Sequence, residues 1–238
     1  MSKKEEVKEF YDEYVTKQEK TGINSRHISI IDKLVQSGLK SNHNVLEVGC
    51  GIGTVSQLIA KKTPKGKVLA VDISEKSVEK AKILWKQFSN LCFEVSDMSD
   101  FTKSGQTFDY FVFPDVLEHI PVEQHPNLFA RIDAHSHEGS VVFIHIPAPR
   151  FLQYNISNEP QKLQIIDQPL DTATLVTVLR DNGYYLDRME TYPVFFTEKD
   201  YQYFIFRRNT KVTKSTLRGK WPVFIERTFL KIKNSIFL

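Results

Sequence analysis

The segment Val45-Leu-Glu-Val-Gly-Cys-Gly-Ile-Gly-Thr-Val55 places Gly49, Gly51 and Gly53 at alternate positions behind a short apolar run. Glycine lets a backbone turn sharply and lets a ligand approach it closely. A helix opening behind such a turn presents its free N–H groups. Many nucleotide-binding folds share glycines at this spacing, so the acids around them say more. Glu47 stands just before the turn. Asp72 ends a second apolar run about 20 residues on, where a carboxylate can accept both hydroxyls of a ribose. Asp97 follows a third run, in Val95-Ser-Asp-Met98, where an adenine amino group could be read. Three acids around one loop would repel a pyrophosphate and suit a ligand bearing an ammonium and a sulfonium.

Proton chemistry falls to the histidines. His119, in Asp115-Val-Leu-Glu-His-Ile-Pro121, is the first candidate for a general base; the other reading makes it a cap or packing residue of a short helix. His145 ends a fifth apolar run and is assigned to substrate contact, although alternation along Val141–Ile146 leaves its direction open. Five of the seven histidines fall in one stretch (His119, His125, His135, His137, His145). His135 and His137 lie two apart on an expected helix and cannot face one ion, so no metal is expected. Cys50 and Cys92 have no metal-ligand spacing and read as reduced thiols of a cytosolic protein.

The elements needed to position these residues follow from the periodicity. Apolar runs at 44–49, 67–72, 91–95, 108–113 and 140–146 read as strands. Helical spacing covers Glu5–Tyr14, Arg26–Ser37, Thr54–Lys62, Glu75 to about Phe88 with Ser74 as N-cap, and roughly Val122–His135. Strands alternating with helices imply parallel pairing through right-handed crossovers. Residues 147–170 hold four prolines without clear periodicity and read as a long functional loop. Asp171 then caps a helix to Asn182, and Tyr184–Tyr192 and Tyr201–Arg207 read as an antiparallel pair. The fold class is α/β, a Rossmann-like doubly wound sheet, mostly parallel with a C-terminal antiparallel hairpin and helices on both faces.

Val45–Val55, Val68–Ser74, Phe93–Met98 and Phe108–Pro121 together resemble the successive signature motifs of class I S-adenosylmethionine-dependent methyltransferases. The resemblance covers about residues 40–208 and is specific to the family, not to a substrate. It implies S-adenosylmethionine as cofactor. It implies that Gly49, Cys50, Gly51 and Gly53 line the methionine portion with Glu47 beside them. Asp72 would hold the ribose with Ile73 next to it, Asp97 and Met98 would border the adenine, and Pro114 and Asp115 would lie under the transferable methyl. Asp115–Pro121 resembles the post-strand segment of small-molecule O- and N-methyltransferases. In similar enzymes the N-terminal helices fold over the cofactor, so Tyr11, Tyr14, Arg26 and His27 are drawn to the site. Tyr11, Tyr14 and Arg26 are assigned to substrate; an amphipathic core stripe is the other reading of the tyrosines.

The chain therefore divides into an N-terminal helical cover (1–40), a methyltransferase domain (41–208) and a basic tail (209–238). The 238 residues carry a formal charge of +3. From Arg207 onward there are nine basic residues and one acid, a net +8, which leaves −5 on the first 206. An acidic body argues against a nucleic-acid groove across the main domain. Trp221–Leu238 can form an amphipathic helix, with Phe224, Ile225, Phe229, Ile232 and Ile236 on one face. Peripheral membrane contact, docking on the parent domain and a dimer contact are its three readings. The charged start shows no secretory signal, so a cytoplasmic protein is expected, at most peripherally membrane-associated.

The function expected is methyl transfer to a hydroxyl of a small molecule or glycan. Transfer to an amine or carboxylate and a non-catalytic S-adenosylmethionine-binding module are the alternatives. An NAD-linked oxidoreductase fits the glycine spacing and Asp97 poorly. An RNA methyltransferase lacks support, since Phe113-Pro-Asp-Val116 stands where base amino-methylating enzymes carry an Asn-Pro-Pro-Tyr-like tetrad.

Overall fold

The computed structural model describes residues 3–213 and 215–236. Seven strands form one sheet: β1 (Val45–Val48), β2 (Val68–Asp72), β3 (Leu91–Val95), β4 (Tyr110–Pro114), β5 (Val141–Pro147), β6 (Tyr184–Tyr192) and β7 (Tyr201–Arg208). Their order is β3-β2-β1-β4-β5-β7-β6. The first five run parallel; β7 inserts antiparallel to β5, and β6 closes the edge antiparallel to β7. This is the doubly wound, mostly parallel sheet that the pattern predicts.

Strands β1, β2 and β4 are buried along their whole length, as continuous apolar runs between two helical layers should be. Alternate residues feed two cores. Val45, Val68, Ala70 and Val112 meet Ile30 and Leu34 of α2 (Ser25–Gln36), Ile59 of α3 (Thr54–Lys62) and Val78 and Ala81 of α4 (Glu75–Leu84). Leu46, Leu69, Phe111 and Phe113 meet Leu128 and Phe129 of α5 (His125–Ala134) and Leu175 and Leu179 of α7 (Thr172–Asp181). The chain thus crosses to the other face between β1 and β4, and a crevice opens at their carboxyl ends.

Local chemistry sets the helix starts. Asn24 Oδ1 accepts from the backbone N–H of Arg26 and His27, Ser74 Oγ from Ser77 and Asp171 Oδ1 from Thr174. Several boundaries differ from expectation. The first helix, α1, runs over Lys3–Thr21, further than the apolar stripe to Tyr14 suggests. It is tied down by Asp12, which accepts from Ser74 Oγ at 2.6 Å, and by a Lys8–Glu75 ion pair. α4 stops at Leu84, where Trp85 leaves helical geometry and donates its indole N–H to Ile52 O at 2.7 Å. A 3-10 turn at Val122–Gln124 precedes α5.

The expectation of a structureless loop over 147–170 is corrected: α6 occupies Pro149–Asn158 and a 3-10 turn Pro160–Lys162. Pro149 stands in the first turn, where its missing N–H costs nothing. Leu152 alone among the helix's residues is buried, so the helical period is too sparse to see in the sequence. The last helix, α8, spans Lys220–Ile236. Phe237 and Leu238, part of the helix expected there, lie outside the described residues. No helix among the described residues is long and apolar enough to cross a membrane.

Candidate active site

The crevice holds a cavity of about 620 Å³, walled by the carboxyl ends of the parallel strands, by α1 and α2 above, and by the 151–167 segment. Gly51 is in the left-handed region (φ +51°), and a Cβ there would come within 2.5 Å of the Gln18 side chain on α1. The loop is thus bare where the N-terminal cover closes on it. Asp72 secures it: Oδ2 accepts the Gly51 N–H at 2.7 Å and Oδ1 the Ser74 N–H at 2.9 Å. Burial pushes the Asp72 carboxyl up, and those amide bonds oppose the shift.

Glu47 lies inside β1, fully buried, and neither carboxyl oxygen has a hydrogen-bond partner among the described residues. Burial raises its pKa to about 8. A lone buried acid lining a cavity is costly unless a cation meets it. Asp97 accepts from the N–H and hydroxyl of Ser99 through Oδ1 at 3.0 and 2.7 Å, which aims the carboxyl beside buried Met98.

Beneath the cavity, Asp115 follows β4 with φ +57°, a conformation Asp tolerates better than most residues. Three contacts hold it. Its N–H donates to His145 O at 2.8 Å, Oδ1 meets His145 Nδ1 at 2.5 Å, and Oδ2 lies 3.2 Å from Arg26 Nε. Burial would raise the Asp115 carboxyl, but His145 and Arg26 outweigh it and hold it below the usual range. Arg26 reaches in from the first turn of α2, which is fixed by the reciprocal Asn24–His27 capping box. Burial alone would lower the Arg26 pKa, but Asp115 and Tyr201 raise it overall, so it stays charged.

His119 occupies a 3-10 turn, Leu117–His119. Its Nδ1 lies 2.5 Å from Ile166 O and 3.3 Å from Asp167 Oδ1. A carbonyl can only accept, so Nδ1 carries the proton and Nε2 keeps a lone pair when the ring is neutral. Burial lowers the His119 pKa, against the pull of Ile166 O and Asp167. Glu118, also buried, is pushed well above the carboxylate range by burial and then by Asp115. Nε2 lies 3.8 Å from Glu118 Oε1, too far for a hydrogen bond. The Tyr11 hydroxyl, buried without a hydrogen-bond partner among the described residues, closes the roof.

Fourteen of the sixteen residues singled out from the sequence line this one cavity: Tyr11, Tyr14, Arg26, Glu47, Gly49, Cys50, Gly51, Asp72, Ile73, Asp97, Met98, Pro114, Asp115 and His119. Two are placed elsewhere. Gly53 (φ +81°) backs onto Phe93 and Trp85, which a Cβ would meet at 2.7 and 2.8 Å, so it serves the packing of α3. His145 is fully buried below the cavity floor, its Nε2 2.7 Å from Tyr192 Oη and its ring stacked on Tyr201. It can reach the site only through Asp115. The lining also includes Gln18, Glu118, Asp167 and Tyr201, which periodicity could not find. Glu118 alone had a signal, as the neighbour of His119.

The donor set suits an adenosyl ligand with a charged amino group. Glu47 lacks a cationic partner, Asp72 retains lone pairs beyond its two amide bonds, and Asp97 stands at the third strand end. A twofold-wound sheet with this acidic crevice at its switch point defines the class, an α/β domain built to hold an adenosine-bearing, cationic group donor. The model of the methyltransferase domain matches residues 39–186, and the chain belongs to that family, whose methyl donor is S-adenosylmethionine. Trans-aconitate 2-methyltransferase of Deinococcus radiodurans is 33% identical over 104 residues, 44% of this chain and 38% of that protein. Ubiquinone biosynthesis O-methyltransferase of Coxiella burnetii is 38% identical over 90 residues, 37% of each chain. The match thus spans under two fifths of these relatives' own length. The magnesium protoporphyrin IX methyltransferase of Synechocystis PCC 6803, solved with bound S-adenosylmethionine, shares the fold. Its TM-score is 0.64 at 19% identity, over 87% of this chain and 98% of that one.

Proposed function

We propose that this protein transfers a methyl group from S-adenosylmethionine to a hydroxyl of a small molecule or glycan, with His119 as general base. When bound, the donor supplies a methyl carbon activated by the sulfonium. Glu47 meets its ammonium, Asp72 accepts from the ribose hydroxyls, and Asp97 with Met98 borders the adenine. Asp115, locked by Arg26 and His145, fixes the floor on which the acceptor aligns, and alignment is most of what an in-line displacement needs. The observation that carries the oxygen assignment is the tautomer of His119. Its Nδ1–H is committed to the Ile166 carbonyl, so Nε2 is the nitrogen left to take a hydroxyl proton. The name of the Coxiella relative supports oxygen as the accepting atom.

The test is transfer of labelled methyl from S-adenosylmethionine to a panel of hydroxylated metabolites and glycans. His119→Ala should slow transfer about 100-fold or more, with donor affinity by calorimetry unchanged. Full activity in that variant would reduce His119 to a packing residue. Product that mild base cleaves would point to a carboxylate acceptor. Donor binding with no transfer to any acceptor would support a non-catalytic module.

A further inference from the structure

The last helix is covered by nothing described here. Trp221, Ile225, Phe229 and Ile232 are 76%, 63%, 64% and 55% exposed. At 3.6 residues per turn these four fall within an arc of about 80°. Lys220, Arg227 and Lys231 lie on the opposite side of the same helix. The one acidic side chain in this region, Glu226, is paired with Arg218 at 2.5 Å, against nine basic residues from Arg207 onward. The body that precedes it is net acidic, and the described residues between 209 and the helix have no regular structure.

We propose that α8 is a membrane-surface anchor that lies in the interface of an anionic bilayer. An aliphatic and aromatic arc opposed by lysine and arginine is what such an interface selects: the arc enters the headgroup–acyl boundary and the cations meet lipid phosphates. Trp221, at the start of the helix, is the residue type that settles at this depth. Net basic charge alone would fit RNA equally well, but RNA gives no partner to a continuous apolar arc. Val223 and Leu230 interrupt the basic side, but α8 is not long and apolar enough to cross a membrane, so a transmembrane span does not fit. This inference is independent of the methyl acceptor.

The experiment is flotation of the full chain with vesicles of phosphatidylcholine alone and of equimolar phosphatidylcholine and phosphatidylglycerol. Binding should be at least roughly tenfold stronger to the anionic vesicles and should weaken with added salt. Tryptophan emission should shift to the blue, and Trp221→Phe should remove the shift while leaving flotation, because Trp85 is held inside the fold by Ile52. Two variants separate the contributions. Ile225→Asp with Phe229→Asp should abolish binding, and Arg227→Glu with Lys231→Glu should abolish the preference for anionic lipid. Both should keep S-adenosylmethionine affinity, which confirms that they are folded. Failure to float with anionic vesicles would overturn the proposal. So would flotation that survives the aspartate pair, a soluble dimer that the aspartate pair dissociates, or salt-sensitive binding to an RNA oligonucleotide without vesicle binding.

Discussion

Burial raises both carboxylates near the glycine loop, but Asp72 accepts two backbone N–H groups and Glu47 none among the described residues. Glu47 titrates near 8 when folded, against an ordinary value of 4.5, because burial disfavours its charge. The folded state therefore holds a proton that the unfolded chain has released between those two pH values. The associated stability is present below 4.5 and lost as pH rises toward 8. The melting temperature of the ligand-free protein should fall across that window, and Glu47→Gln should flatten the fall. A profile unchanged by that substitution would mean that Glu47 is solvated or paired. Asp72 anchors the Gly51 and Ser74 amides and is proposed to hold the ribose as well. Asp72→Ala should weaken S-adenosylmethionine binding by about tenfold or more, since a carboxylate accepting from ligand hydroxyls is lost with the anchor of Gly51. Calorimetry at unchanged affinity would remove the ribose assignment. Both acids were legible in the sequence because each sits where an apolar run ends. Gln18, Asp167 and Tyr201 were not: they arrive from the first helix, a proline-rich segment and a late strand, and only three-dimensional closure unites them.

Among elements, the glycine loop and its helix carry the clearest test of packing against binding. Gly53 is left-handed and backs onto two aromatic rings. Gly53→Ala should cost about 1–3 kcal/mol through backbone strain and the collision with Phe93 and Trp85. Urea unfolding at constant slope would measure it, and an unshifted midpoint would refute the packing role. Strands β1 to β5 were legible because each is a continuous apolar run between turn signals. The helix α6 was hidden because its proline start and single buried leucine resemble a loop. His145 was misdirected for a different reason. Alternation fixes which face of β5 a residue takes, but not that Tyr192 and Tyr201 wall off that face from the cavity.

For the whole molecule, the proposed donor site predicts which adenosine ligands enter the acidic crevice. Asp72 already occupies the Gly51 N–H that a pyrophosphate would need, and Asp97 stands at the third strand end as a further acid. Titration calorimetry should therefore show saturable binding of S-adenosylmethionine and S-adenosylhomocysteine and none of NAD. NAD binding of comparable affinity would contradict the geometry of the loop. The fold class and the existence of strands β1 to β5 follow from periodicity, and the donor loop from its glycines and acids. The acceptor does not, because its wall is built from α1, α2 and the 151–167 segment, whose side chains meet only after folding.

The insertion of β7 between β5 and β6 has a consequence for biosynthesis. His145 pairs in register with Tyr203, and Pro147 with Tyr201. As the chain leaves the ribosome, all five parallel strands, the glycine loop, Asp115 and its partners Arg26 and His145 emerge before Tyr192 and Tyr201, which hold the His145 ring. Until β7 has emerged, β5 is a bare edge, and until Tyr192 and Tyr201 have emerged the imidazole of His145 has no tyrosine beside it. The floor proposed to align the acceptor is therefore completed late in translation, after the residues assigned to the donor pocket have emerged.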